Sequence, residues 1–553
     1  MFIFQRLRRG GRHLLTDKKQ ILKSASIITL VTIASRIFGY IRDQRLTLLL
    51  GTSLAADSFV LAYRIPNLLR RLVGEGSMTA SFIPVFTSYM ADKPSEEVWE
   101  FAHRLFWTLA VVLAVLTVLG MVFSPGVIHV FTMFGREQRQ WGAAVELNRI
   151  MFPYIFFIGL SALAMAILNC FHVFGLPAAT PILLNISIIT LSVAAVYRHF
   201  PNKAVALAVG VLVGGVLQLL VQLPLLVRQG MRFNFGVSFI HPGVRAVARL
   251  MVPGFFGIGI SQVNFFVDTV FATSEKMQRI GPGAVTSLYV ADRVMELVLG
   301  GYAIAVATAI LPMMSHQAAA GDYDGMKKTF GFSLRIVSFI TLPAAVGLII
   351  LREPIIRVLF QHGSFDAAST RLTARALLYY ATGLPAFAAI KLIVPAFYST
   401  QDTRVPVRAA AYTLVINFGL NLLFLVYFFK TFQNGGPALA TSLAGYFNFF
   451  MLFVIFRLRF GRLGTFEILG SMARIVVCSG LMGAACWVML KFSRFSSYPS
   501  FLAQLCIFTA LILGATVIYL GLAWLFRCHE IEEVYGIALR RERGEAEPQT
   551  LGG

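Results

Sequence analysis

Arginines and acids recur inside stretches of this sequence that are otherwise apolar, and their types favour holding an anion over breaking a bond. Arg36, Arg42, Asp43 and Arg45 fall in residues 25–50. Asp57, Arg64, Arg70, Arg71 and Glu75 fall in 54–88, Asp268 in 246–274, and Asp292, Arg293 and Glu296 in 286–317. In mid-bilayer each such charge costs ~2.5–3.5 kcal/mol on insertion scales, so each needs a partner, a watery cavity or a place near an interface. Helical spacing puts Arg36 with Asp43, Asp57 with Arg64 and Arg71, and Asp292 with Glu296 on shared faces, while Arg42 and Arg70 point elsewhere. Pro66, Gly39, Gly74 and Gly76 can bend these helices so that residues off the stripe still line one cavity. Arg45 and Arg71 read as ordinary helix-end positives. The structural alternative is that the arginines pair with Asp43, Asp57, Glu75 and Glu296, or snorkel to headgroups. Against it, guanidinium outnumbers carboxylate over residues 25–88. The planar guanidinium fork stays charged and matches phosphate oxygens bidentately, so the surplus points to a pyrophosphate.

The elements that must position these residues are membrane helices. The 553 residues are 57% hydrophobic and only 13% charged, with a mean hydropathy of +0.74, which excludes an ordinary soluble globular protein. About fourteen apolar stretches, from 25–50 to 501–526, are each long enough to cross a ~30 Å hydrocarbon core. They lack strand alternation, so an all-α polytopic membrane protein is expected and an outer-membrane barrel is not. The formal net charge of +22 comes largely from Lys and Arg between the stretches, as topology signals do, and assigns no nucleic-acid partner. Arg6, Arg8, Arg9, Arg12, Lys18, Lys19 and Lys23 keep segment 1–24 cytoplasmic, and an even number of spans returns the tail 527–553 to the same side. Cys170, Cys478, Cys486, Cys506 and Cys528 show no CxxC spacing and read as packing residues.

At an offset of about 225 residues the chain weakly matches itself, as transporters with internal repeats do. Phe38–Asp43 answers Phe265–Asp268, Ile83-Pro84 answers Leu311-Pro312, and Gly159, Phe171 and Pro181 answer Gly383, Phe397 and Pro406. Val130-Phe131 before Gly135 answers Val358–Phe360 before Gly363. Two six-helix lobes, 25–228 and 245–459, are therefore expected in parallel orientation across a central cavity, with 470–526 as two added helices outside the repeat.

The runs Ala34-Ser35-Arg36-Ile37-Phe38-Gly39-Tyr40-Ile41-Arg42-Asp43, Ala56-Asp57-Ser58-Phe59 and Ile65-Pro66-Asn67-Leu68-Leu69-Arg70-Arg71 resemble the MurJ (MviN) family of lipid II flippases. So do Tyr289–Glu296 (YVADRVME) and Pro395–Asp402 (PAFYSTQD). The resemblance covers nearly the whole chain. It implies the multidrug/oligosaccharidyl-lipid/polysaccharide exporter fold in the inner membrane, and transfer of lipid II, the undecaprenyl-diphosphate-linked disaccharide-pentapeptide, to the periplasmic leaflet. Carried over by residue, substrate-binding arginines fall on Arg36, Arg42, Arg70 and Arg293, with Asp57, Asp43, Glu75 and Glu296 as acidic companions. Segment 470–526 would form a groove for the lipid tail. The resemblance implies no cofactor but, in some members, a coupling cation, sodium or proton. Asp268, Asn417, Asn421 and Thr441 occupy the corresponding positions, with Asn421 where a second carboxylate would favour a hard cation. Amides bonding across helices are the structural alternative for Asn417 and Asn421.

No GxSxG, P-loop or HExxH motif supports an enzyme or an ATP-driven pump. An inside-negative potential would assist outward movement of a diphosphate by about 2.3 kcal/mol per charge per 100 mV. The competing functions are export of a drug or another polyprenyl-linked oligosaccharide, disfavoured by the arginine surplus, and a non-transporting scaffold docked through its basic N-terminal segment.

Overall fold

The computed structural model describes residues 14–70, 78–135, 141–198, 200–461, 464–495, 498 and 500–531. Glu75, Arg71, Gly74 and Gly76, the first thirteen residues and the tail beyond Ile531 lie outside them. Among the described residues there are helices and no strands. Residues up to Thr132 together with Trp141–Gly259 form one compact unit, and Met133–Gly135 with the chain from Ile260 onward form a second.

The first unit runs α1 (Leu14–Leu50), α2 (Leu54–Arg70), α3 (Met78–Asp92), α4 (Ser95–Val122), α5 (Ser124–Phe131), α6 (Gly142–Met151), α7 (Tyr154–Cys170), α8 (Gly175–Tyr197), α9 (Lys203–Leu220) and α10 (Leu223–Gln229). The boundary falls inside α11 (Pro242–Ala272). The second unit continues with α12 (Glu275–Arg279), α13 (Ala284–Ala319), α14 (Tyr323–Ile350), α15 (Arg352–Phe360), α16 (Ala367–Ser399), α17 (Arg404–Val426), α18 (Phe429–Phe432), α19 (Gly436–Phe460), α20 (Thr465–Phe492) and α21 (Phe501–Leu525).

Ten helices of the described residues are long and apolar enough to cross a membrane. The remaining expected spans correspond to α1, to α2 with α3, to α11 and to α13, which are the helices that carry the ionisable residues. The architecture is thus that of the expected polytopic helical protein, with the departures from uniform hydropathy where the chemistry is. Two spans are broken where continuous helices were expected. Pro125 ends the ladder of α4 and starts α5, and Pro153 separates α6 from α7, because proline has no N–H to continue the helix. Val115 on α4, Val415 on α17 and Val517 on α21 are each more than half exposed, an arrangement that only lipid makes tolerable.

With lipid outside, helices associate through close backbone approach and polar contacts. In the first unit Gly210 and Gly214 of α9, spaced as GxxxG, bring the helix against α8: a Cβ on Gly214 would sit 2.8 Å from Leu184 Cα, and Ser187 Oγ donates to Gly210 O at 2.8 Å. Gly214→Val is therefore expected to destabilise the protein by about 1–3 kcal/mol through overpacking against backbone that cannot yield, seen as a lowered melting temperature in detergent. Gln218 Nε2 donates to Thr180 O and Gln222 Nε2 to Ser161 O, tying α8 and α7 to the same helix end.

In the second unit α16 is central, packed on α13, α14 and α19. Ser442 Oγ and Tyr446 Oη of α19 donate to Tyr379 O and Thr382 O at 2.8 and 2.9 Å. The added helices dock on α14: Tyr519 Oη donates to Phe339 O at 2.6 Å, and buried Glu530 accepts from Ser471 Oγ and lies 3.7 Å from Arg335 Nε. Between α16 and α17, Asp402 accepts from the N–H groups of Arg404 and Val405 and from the Arg459 guanidinium. Burial pushes its carboxyl up, but the Val405 N–H, the Arg459 guanidinium and the Arg404 N–H together hold it below the usual range. The stabilisation from a depressed carboxyl is present above the unfolded value of about 3.9 and is lost as pH falls through the folded one. Asp402→Asn should cost about 1 kcal/mol at pH 7 and nothing in acid, which melting curves at the two pH values will check.

Candidate anion site and buried acid cluster

In the first unit α1, α2 and α8 converge on Arg42. Its Nε and Nη2 both donate to Asp43 Oδ1, at 3.0 and 2.7 Å, and Nη1 donates to Asn185 Oδ1 at 3.1 Å and reaches Tyr63 Oη at 3.4 Å. Asn185 is oriented by α1, since its Nδ2 donates to Ser35 O at 3.2 Å. That second contact fixes which amide atom faces the guanidinium. The Arg42 side chain is 12% exposed and Asp43 is buried, so the pair is held in a low-dielectric setting with its geometry set by α8 and α2.

Spacing alone put Arg36 and Asp43 on one face, whereas Asp43 here takes Arg42, its neighbour in sequence. A long guanidinium side chain can fold back along the helix, so adjacency in sequence does not prevent the contact. Arg36 is exposed and has no hydrogen-bond or ion-pair partner among the described residues. Farther along, Arg45 Nε donates to Ser192 Oγ at 3.2 Å, consistent with an interhelical structural role. On α2, Asp57 is buried in the first turn, and half-buried Arg70 in the last turn donates through Nε to Asn67 Oδ1 at 3.0 Å. Glu75 falls outside the described residues.

In the second unit Arg293 Nη1 meets Glu296 Oε2 at 2.5 Å, and the guanidinium lies 5.1 Å from the centre of the Tyr289 ring. Asp292, next in sequence, is buried. The expected Asp292–Glu296 face is thus divided, with Asp292 inward and Glu296 on its arginine.

The four residues Asp268, Asn417, Asn421 and Thr441 are brought together from α11, α17 and α19. Asn417 Nδ2 and Asn421 Nδ2 each donate to Asp268 Oδ1 at 3.2 Å, and Thr441 Oγ1 donates to Oδ2 at 2.5 Å. Asp268, Asn417 and Asn421 are buried, and Asn421 Oδ1 is a buried acceptor with no hydrogen-bond partner among the described residues. The donor set, one carboxylate with amide and hydroxyl oxygens and an orphaned carbonyl, fits a small monovalent cation better than a divalent one. Asp43 and Asp268 stand at matching landmarks of the repeat. The first meets a guanidinium, whereas the second accepts from two amides and a hydroxyl among the described residues.

Asn185 and Tyr63 were not picked out from sequence. The available signal was Asn185 as a lone amide in the apolar run Pro181–Ile189, which favours a cross-helix contact without naming its partner.

A polytopic all-helical membrane protein with a partly exposed set of arginines and a buried carboxylate among its helices has the fold of known transporters. An inward-facing MATE multidrug transporter of the MOP superfamily superposes with a TM-score of 0.61 at 14% identity, covering 77% of this chain and 94% of that one, a likeness of fold alone. A solved structure described as lipid II flippase MurJ in an inward closed conformation superposes with a TM-score of 0.73 at 25% identity, covering 90% of this chain and 98% of that one. The family model "Lipid II flippase MurJ" matches residues 46–507. The "Lipid II flippase MurJ" of Burkholderia cenocepacia is 32% identical over 89% of this chain and 95% of its own length. A Vibrio cholerae protein described as "Probable lipid II flippase MurJ" is 34% identical over 85% and 90%. The chain belongs to the MurJ lipid II flippase family.

Proposed function

We propose that this protein moves lipid II from the cytoplasmic to the periplasmic leaflet of the inner membrane by alternating access, with both termini cytoplasmic and no chemical bond made or broken. The observation that carries the reading is the state of the arginines in α1: Arg42 is locked in place by Asp43 and Asn185, while Arg36, on the same membrane helix, is exposed with no partner among the described residues. A fixed guanidinium and an available one give a diphosphate both a preorganised contact and a charge to neutralise. Arg70 and Arg293 add further guanidinium contacts; Asp43 and Glu296 orient Arg42 and Arg293, and Asp57 and Glu75 are the further acidic companions of the site. The polyprenyl tail stays in lipid along α20 and α21, whose exposed faces are apolar.

Asp268, Asn417, Asn421 and Thr441 would hold a coupling cation, sodium or a proton, which would supply charge compensation at the buried carboxylate. The chain's own contribution is to bury Asp268 with three neutral hydrogen-bond donors. Positive charge beside a buried carboxylate offsets part of its desolvation, so a cation bound at this place would stabilise the packing of α11, α17 and α19.

Complementation tests the reading. A bacterium depleted of its own flippase is expected to regain growth and outer-leaflet lipid II, measured by accessibility to an externally added lipid II-modifying enzyme, when it makes this protein. Failure of the wild type, with the protein present in the membrane, would reject lipid II as its cargo.

A further inference from the structure

The segment joining α10 to α11 is not helical, and it runs along α4. Gly230, left-handed at φ 111°, turns the chain beside Trp99. Phe233 then meets Phe106 with 5.3 Å between ring centres, Phe235 meets Trp107 at 5.1 Å, and the Ser238 N–H donates to Thr108 Oγ1 at 3.0 Å. The chain turns back from there. His241 stacks on Phe101 at 5.6 Å, and Gly243 lies against the same ring, where a Cβ would come within 2.6 Å. The segment therefore starts at the level of Trp99, reaches Trp107 and Thr108 about two helical turns deeper, and returns to Phe101.

That depth coincides with the edge of the hydrocarbon. The first turns of α4 carry Glu96, Glu97, Glu100 and Arg104, whereas from Val112 through Val115, Leu116, Val118, Leu119 and Val122 its exposed side chains are apolar. The crossover lies between Arg104 and Val112, at the tip of the loop. At that tip Phe235 is 75% exposed, Phe239 57% and Ile240 73%. Residues 232–240 make no backbone-to-backbone hydrogen bond among the described residues, so apart from the Ser238 N–H on Thr108 their peptide groups need water and cannot lie in hydrocarbon. Large apolar side chains beside hydrated backbone fit one layer, the membrane–water interface.

The charges around the loop agree in sign. Arg228 and Arg232 precede its tip and Arg245 and Arg249 follow it; all four are exposed and none has an ion-pair partner among the described residues. Of the acids on the first turns of α4, Glu97 is paired with Lys93 and Glu100 with Arg104, which leaves Glu96 against the four arginines.

We infer that residues 231–241 are an interfacial loop that seats Phe235, Phe239 and Ile240 in the adjacent leaflet, with Arg228, Arg232, Arg245 and Arg249 binding the phosphates of anionic phospholipids there. The inference does not depend on the identity of the transported lipid. Each arginine near an anionic surface favours the contact by about five-fold, and the effect weakens with salt.

The test uses the full chain reconstituted in phosphatidylcholine vesicles with or without phosphatidylglycerol. A nitroxide is attached at Phe239→Cys, and separately at Ile240→Cys in case one variant misfolds, in a Cys170→Ser, Cys506→Ser background that removes the two cysteines not fully buried. The label is expected to be relaxed more by oxygen than by a water-soluble nickel chelate. In detergent, phosphatidylglycerol is expected to raise the melting temperature of the wild type, and the rise should shrink at least two-fold in Arg228→Gln/Arg232→Gln. A label open to the nickel chelate, or shielded from both reagents as under a partner protein, would overturn the proposal. So would an undiminished phosphatidylglycerol effect in the double variant, or inorganic phosphate reproducing that effect.

Discussion

Arg36→Ala is expected to cut outer-leaflet delivery of lipid II sharply and weaken complementation while leaving the melting temperature where it is in the wild type. The side chain is exposed and has no partner among the described residues, so its removal takes nothing from the fold and should change stability by no more than about 0.5 kcal/mol. A charge-assisted contact to a phosphate contributes about 1.5–3 kcal/mol, so transport should fall about 10–100-fold. Arg36→Lys keeps the charge without the planar fork and should lie between the two. Arg42→Ala is also expected to cut transport, but with a different signature. It leaves buried Asp43 without its guanidinium, a loss of about 3–5 kcal/mol that should appear as a lowered melting temperature. Adding Asp43→Asn should restore stability and not transport. Normal flipping by Arg36→Ala, at wild-type membrane levels, would remove that residue from the binding site.

Asp268→Asn is the second large effect. If the cluster binds a monovalent cation, the wild type should melt higher in sodium than in an equal concentration of a large organic cation. A hundred-fold excess over Kd corresponds to about 2.7 kcal/mol. Asp268→Asn should erase that difference and, with no buried carboxylate left to desolvate, should be as stable as the wild type without sodium, or more so. If coupling is to protons, the wild type shows no sodium dependence but its transport depends on pH, and Asp268→Asn abolishes that dependence. A wild type insensitive to both would make the cluster a hydrogen-bond tie among α11, α17 and α19 and nothing more. Asn421→Asp separates these cases further, since a second carboxylate should strengthen cation binding, while in a purely structural tie it adds like-charge repulsion 3.2 Å from Asp268.

The sequence by itself determined the solvent, the class of fold and which helices carry the ionisable residues. Apolar runs of membrane-spanning length admit only helices, because every backbone N–H and C=O must be bonded within its own segment. Charges placed in such runs are costly enough that α1, α2, α11 and α13 stand out in the sequence alone. The helices α20 and α21 were legible as spans from the length of their apolar runs. What the tertiary structure decided was which charge meets which. Spacing on α1 favoured Arg36 with Asp43, yet Asp43 takes Arg42 because α8 delivers Asn185 and α2 delivers Tyr63 to the same guanidinium, contacts 143 and 21 residues apart in sequence. The breaks at Pro125 and Pro153 and the course of residues 230–243 along α4 depend in the same way on neighbours that no local pattern names. Periodicity reports a helix's own faces; the partner that a face meets is set by packing between segments distant in the chain, and there the pairing of each arginine is decided.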